Sequence, residues 1–206
     1  MQPENLLNFL KIIEKNKNNT RHSWTSGGRH ESIAEHCWRT AVMALLVAPE
    51  FPGVDIEKVV KMCLIHDFGE AITGDIPSFL KTDKDERIED TAVSELLGLL
   101  PEKLKSEFES LFKEMAELKT SEAKLFKAMD KLEAIISHNE ASLDTWLPNE
   151  YELQLTYAFE EMTHSEYLIN LRETIKQDSI KKINSSAHCA KKICSGAHCA
   201  PEEGGI

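Results

Sequence analysis

Apolar residues return every three or four positions along almost the whole chain, and no stretch alternates with a period of two between turn signals. A chain patterned this way buries its stripes by packing helix on helix, so the sequence predicts an all-α fold, a helical bundle with short loops. Leu6, Phe9, Leu10 and Ile13 follow Pro3, which suits a first helical turn. Ile33, Cys37, Ala41, Ala44 and Ala48 mark a second helix that Pro49 stops. Asp55 caps a third, whose stripe of Ile56, Val59, Val60, Cys63 and Leu64 runs into His66 and Asp67. Further helices are expected over 84–100, 102–118 and 121–138, and a long, broken one over 150–183. Residues 16–30 are polar, contain Gly27 and Gly28, and read as a loop that holds Arg21 and Trp24. Nine glycines and seven prolines in 206 residues are few for a turn-rich β protein.

Charge narrows the partners. A net charge of −11 disfavours nucleic acid, whose backbone calls for a basic face, but leaves room for a local basic pocket around a small phosphate ester. With 41% hydrophobic and 29% charged residues, the chain can bury a core. Its longest apolar run, Ala41 to Ala48, is far short of the roughly 20 residues of a membrane span. The first residues are acidic and amide-rich where a secretory signal is basic, so a cytoplasmic protein is expected. Cys37 and Cys63 sit in apolar patterns while Cys189, Cys194 and Cys199 crowd the end, which is no disulfide framework. That end is a tandem decapeptide, KKINSSAHCA then KKICSGAHCA, and divides the chain into a domain of residues 1–180 and a tail of 181–206 expected to be disordered. His188, Cys189, Cys194, His198 and Cys199 are soft enough ligands to offer zinc a site, which leaves open a metal-holding interaction module.

Four ionisable residues stand where separate helical segments can converge: His36, the adjacent His66 and Asp67, and Asp130, which lies off the stripe of Leu125, Met129, Leu132 and Ile136. Two imidazoles and two carboxylates suit Mn, Co, Fe, Ni or Zn better than Ca. Glu70, four residues beyond His66, faces the same cleft if the helix continues, as a carrier of protons. Asp75 precedes Ile76 and Pro77 in a turn able to present a carboxylate to a ligand.

These residues carry a resemblance. SIAEHCWR, IHDFGEAITGDIP and KAMDKLEAII resemble the H…HD…D signature of the HD-domain metal-dependent phosphohydrolases, and more narrowly the 5'-deoxynucleotidase branch, over roughly residues 5–180. The resemblance implies an HD-domain helical bundle in which His36, His66, Asp67 and Asp130 bind one divalent transition metal, with Mg as a further candidate. It implies that Arg21 orients a phosphate, Trp24 lies beside it, Glu70 assists proton transfer with Asp75, and Asp75, Ile76, Pro77 and Ser78 contact the sugar. The substrate implied is a nucleoside 5'-monophosphate, the deoxy form first, and the assembly a homodimer. Other HD enzymes cleave cyclic dinucleotides or guanosine polyphosphates, and these stand as alternatives. The resemblance leaves open whether Glu70 acts as acid or base. Cys37 stands where the branch has serine and is read as core.

Other patterns drop out. His30 and His36 are six apart, so HESIAEH is no zinc-protease helix, and no phosphate-binding glycine loop or serine elbow occurs. KTDKDERIED reads as a solvated helix start, and His138 and His164 as surface or packing residues.

Overall fold

The computed structural model describes residues 1–194. Ten helices, α1 (Pro3–Ile13), α2 (Ile33–Val47), α3 (Ile56–Ile65), α4 (Glu70–Thr73), α5 (Asp83–Leu97), α6 (Glu102–Glu117), α7 (Ser121–Glu140), α8 (Glu150–Thr156), α9 (Phe159–Met162) and α10 (Glu166–Cys194), dominate them. Local chemistry fixes where they begin. Ser32 accepts the Glu35 N–H while the Glu35 carboxylate accepts the Ser32 N–H, a capping box that starts α2. Asp55 caps α3, Thr82 and Asp85 form a second box at α5, and Thr120 caps α7.

The main core lies where α2, α3 and α7 meet, with Ala44, Val59, Met62, Leu125, Met129 and Leu132 fully buried and Leu168 of α10 closing one side. Alanines 41 and 44 leave α2 without bulk on its inner face, so it lies close against α3. A smaller cluster, Phe9, Leu96, Leu97 and Leu100, holds α5 to α1.

Two expectations need correction. Residues 16–30 are not all loop: β1 (Thr20–Trp24) pairs antiparallel with β2 (His30–Ser32), Thr20 opposite Ser32 and Trp24 opposite His30. The Thr25 N–H donates to Arg29 O at 2.7 Å, and Gly28, at φ +80°, supplies the left-handed turn residue. Alternation is absent from TRHSW because Arg21, His22 and Ser23 of this strand line a cleft instead of the core. Second, α3 stops at Ile65. Short-range bonds, Phe68 N to Ile65 O and Glu70 N to Asp67 O, fold His66–Gly69 into a tight turn before α4. The last helix, α10, continues from Glu166 to Cys194. Residues 195–206, with His198 and Cys199, lie outside the described residues. Among the described residues, no helix is long and apolar enough to cross a membrane.

Candidate metal centre and active-site cleft

His36, on the inner face of α2, is 0% exposed. Its Nδ1 lies 2.5 Å from the Glu133 carboxylate, which also accepts the Ser137 hydroxyl at 2.7 Å. His66 caps α3 and its Nδ1 donates to the Cys63 carbonyl at 2.9 Å. Both rings are thereby held at Nδ1, and both present Nε2 to the same space. There His36 Nε2 is 3.2 Å from Asp130 Oδ1 and 4.0 Å from Asp67 Oδ2, while His66 Nε2 is 3.2 Å from Asp67 Oδ1 and 3.7 Å from Asp130 Oδ1.

The turn between α3 and α4 is fixed from below and from the side. Asn16 Nδ2 donates to the Asp67 carbonyl at 3.0 Å and Asn19 Nδ2 to that of Glu70 at 2.8 Å. Gly69 packs on α5 so closely that a Cβ there would sit 2.8 Å from Glu89 Cγ and 3.1 Å from its carbonyl oxygen.

These donors fit a divalent transition ion. His66 Nε2 is buried and makes no hydrogen bond. Bonds of about 2.0–2.2 Å to one ion set neighbouring ligand atoms a little over 3 Å apart, near the separations found here. Burial alone would raise the carboxyl groups of Asp67 and Asp130, but His66 in the first case and Lys127 in the second, with the neighbouring imidazoles, hold both well below the usual carboxylate range. The site is thus built of ionised acids, and a cation can replace the protons that would otherwise balance them on the rings.

Arg21 reaches over this centre from β1. Its NH1 nitrogen is 3.6 Å from Asp67 Oδ2 and 4.0 Å from Asp75 Oδ1, and its Nε is 3.6 Å from Glu31 Oε2. Burial opposes its charge, but Asp67 and Asp75 more than restore it. Glu31, buried beside Glu133, is pushed up to about 7 by desolvation and by that neighbour, against the pull of Arg21. Glu70 is pushed up to about 9, first by burial, then by Asp67 and Asp75, with Arg21 opposing. One of its carboxyl oxygens is buried without a hydrogen-bond partner. Cys37 is buried as expected, with Sγ 3.8 Å from Asp67 Oδ2.

All of this lies at one end of a cleft of about 740 Å³, lined by β1, the segment 75–79, α5, α6, α7 and α8. The HD domain family matches residues 13–169 of the chain. The chain belongs to the HD domain family. Within that family it is 35% identical over 140 residues to the 5'-deoxynucleotidase HDDC2 of Bos taurus, which spans 66% of this chain and 67% of that one. It is 34% identical over 146 residues to the protein of the same name from Dictyostelium discoideum, with 66% and 77% covered. A crystal structure from Magnetospirillum magnetotacticum, described as a predicted metal-dependent phosphohydrolase, matches with a TM-score of 0.76 at 27% identity, over 87% of this chain and 95% of that one.

On this HD fold the expected residues mostly meet. His66, Asp67, Glu70, Asp75, Ile76, Pro77, Ser78, Asp130 and Arg21 all line the cleft, and His36 lies beneath it. Trp24 does not line it: its ring lies 4.1 Å from that of His30, within the hairpin. His138, read above as a surface or packing residue, lines the cleft as well. His164 lies in the turn between α9 and α10. Sequence reasoning missed Glu133, Lys127, Asn16 and Asn19. Glu133 and Lys127 are each three residues from Asp130, the spacing that shares a helix face, and that signal was available.

Proposed function

We propose that the protein is a metal-dependent phosphomonoesterase that hydrolyses nucleoside 5'-monophosphates, the deoxy forms first, to nucleoside and phosphate. The convergence of two imidazoles and two ionised carboxylates beneath one buried arginine, at the end of a nucleotide-sized cleft, carries this reading. The deoxynucleotidase names of its HD-family relatives support the substrate class. The donor set favours Mn, Co, Fe, Ni or Zn, with Mg as a weaker fit. Bound there, such an ion supplies charge neutralisation and an activated water.

The chain's own groups supply the rest. Arg21 offers a planar fork for two phosphate oxygens and stays charged in its acidic surroundings. Glu70, protonated at neutral pH, donates a proton to the leaving 5'-oxygen. Asp75, Ile76, Pro77 and Ser78 border the cleft beside Arg21 and hold the sugar. The catalytic unit lies within residues 1–180. The enzyme works in the cytoplasm, where Cys37 and Cys63 persist as buried free thiols. It pairs through the α5–α6 side, where Ile88 and Leu99 are exposed.

Phosphate release is measured across deoxy- and ribonucleoside 5'-monophosphates, with Mn, Co, Mg or Zn returned to chelator-stripped protein. Release from the deoxy set that needs metal and disappears in Asp67→Ala is expected. Full activity in Asp67→Ala, or silence across the panel, overturns the proposal.

A further inference from the structure

A second histidine cluster lies in the same cleft, away from the first. His22 of β1 and His138 of α7 both aim Nε2 at one oxygen of Glu150, the first residue of α8, at 2.8 and 2.9 Å. The three ligand atoms lie within 4.8 Å of one another. On α7, His138 is eight residues beyond Asp130, about 12 Å along the axis at 1.5 Å per residue. That separation is too great for the two clusters to share one ion or a bridged pair, whose metals stand about 3.5–4 Å apart.

Glu150 and His138 are each fixed by a second contact. The other carboxyl oxygen of Glu150 accepts the Leu147 N–H at 2.6 Å, which leaves Oε1 for the imidazoles. His138 Nδ1 faces the Ala134 carbonyl at 3.2 Å, and the Trp146 indole donates to the His138 carbonyl. A neutral His138 carries one proton, yet both its nitrogens face oxygens that only accept. If Nδ1–H donates to Ala134, a lone pair on Nε2 meets a lone pair on Glu150. A cation between them resolves the conflict. The first centre is arranged in the same way, with contacts at Nδ1 turning both Nε2 atoms toward carboxylates.

Burial completes the case. The Glu150 side chain is 4% exposed, whereas those of His22 and His138 are 26% and 18% exposed, so the carboxylate is sunk and the imidazoles reach the cleft. We infer that His22, His138 and Glu150 form a second cation site, a two-histidine, one-carboxylate set for a zinc-class ion. Water, or a nitrogen or oxygen of a molecule in the cleft, completes the coordination. The donors must spread by a few tenths of an ångström to admit bonds of about 2.0–2.1 Å, which part-exposed histidines allow. On binding, each imidazole gives up to solvent any proton it shares with Oε1, and Glu150 keeps its negative charge.

Zinc chloride is titrated into the full, chelator-stripped chain while the histidine rings are followed by long-range proton–nitrogen NMR, and zinc content is counted after desalting. The Nε2 signals of His22 and His138 are expected to move and saturate together. The variant His22→Ala/His138→Ala should hold one zinc ion fewer per chain than the parent. Glu150→Gln, which keeps the side-chain volume, should show the same loss if the double variant folds poorly. Asp67→Ala should keep the His22 and His138 response while losing phosphate release, which separates this site from the first. Equal zinc content in parent and variants, or ring signals that follow pH and ignore zinc, overturns the inference in favour of a proton-sharing pair.

Discussion

The two walls of the cleft are built differently. On one side α2, α3 and α7 enclose His36, Met62, Leu125, Met129 and Leu132 with no measurable exposure, and His36, His66 and Asp130 each have a second tether. On the other side α5 buries only Ala92, Leu96 and Leu97, and α6 only Leu111 and Met115. The wall that holds charge in fixed geometry is the densely packed one, because ligand positions must survive thermal motion. The thinner wall, with fewer buried side chains, can yield more cheaply.

The largest effect that sharpens this contrast is on chemistry. Glu70→Gln should lower turnover about 10²–10⁴-fold while metal content stays at the wild-type level. Because Glu70 is raised to about 9, the acid is present below that value, and phosphate release should fall as pH rises through it. The same shift means the folded chain keeps a proton the unfolded chain releases between 4.5 and about 9, so stability declines as pH rises across that window. Glu70→Gln should remove both the alkaline limb and the decline; a limb that survives removes Glu70 as the acid.

Next comes packing. Leu132→Ala, in the dense wall, should cost about 2–5 kcal/mol in denaturant unfolding and weaken metal binding with it. Leu97→Ala, in the thin wall, should fall at the low end of the same range of about 2–5 kcal/mol and leave metal affinity alone. Equal effects on metal affinity would break the contrast. Glu133→Gln tests the tether behind His36, with metal affinity expected to drop about 10–100-fold by calorimetry. Gly69→Ala tests the joint between the walls. Forcing a Cβ against Glu89 should destabilise by about 1–3 kcal/mol and displace Asp67 and Glu70, visible as a loss of turnover larger than the loss of metal. Least of all, Glu140→Ala removes the half-exposed partner of Arg39 and should change stability by less than about 1 kcal/mol.

Much of the dense wall was legible before any coordinates. Helical periodicity kept His36, His66 and Asp130 on computable faces, and the capping residue Asp55 set the phase of α3. The turn after His66 was not legible, since its shape depends on Gly69 meeting α5, a contact between distant segments. The hairpin escaped because its side chains answer to the cleft, so burial does not alternate along β1. Trp24 followed from resemblance alone, and its place against His30 reflects pairing across the hairpin. His138 looked idle because its partners, His22 and Glu150, lie 116 and 12 positions away, and only the fold joins them.

His36 and Asp130 touch across 94 residues of chain. A nascent chain extruded as far as α6 carries His36, His66 and Asp67 but neither Asp130 nor the Glu133 that braces His36. Such a chain cannot close the centre, whatever helices it has already formed. The centre therefore requires α7 to pack against α2 and α3, and a fragment that ends before α7 lacks part of it.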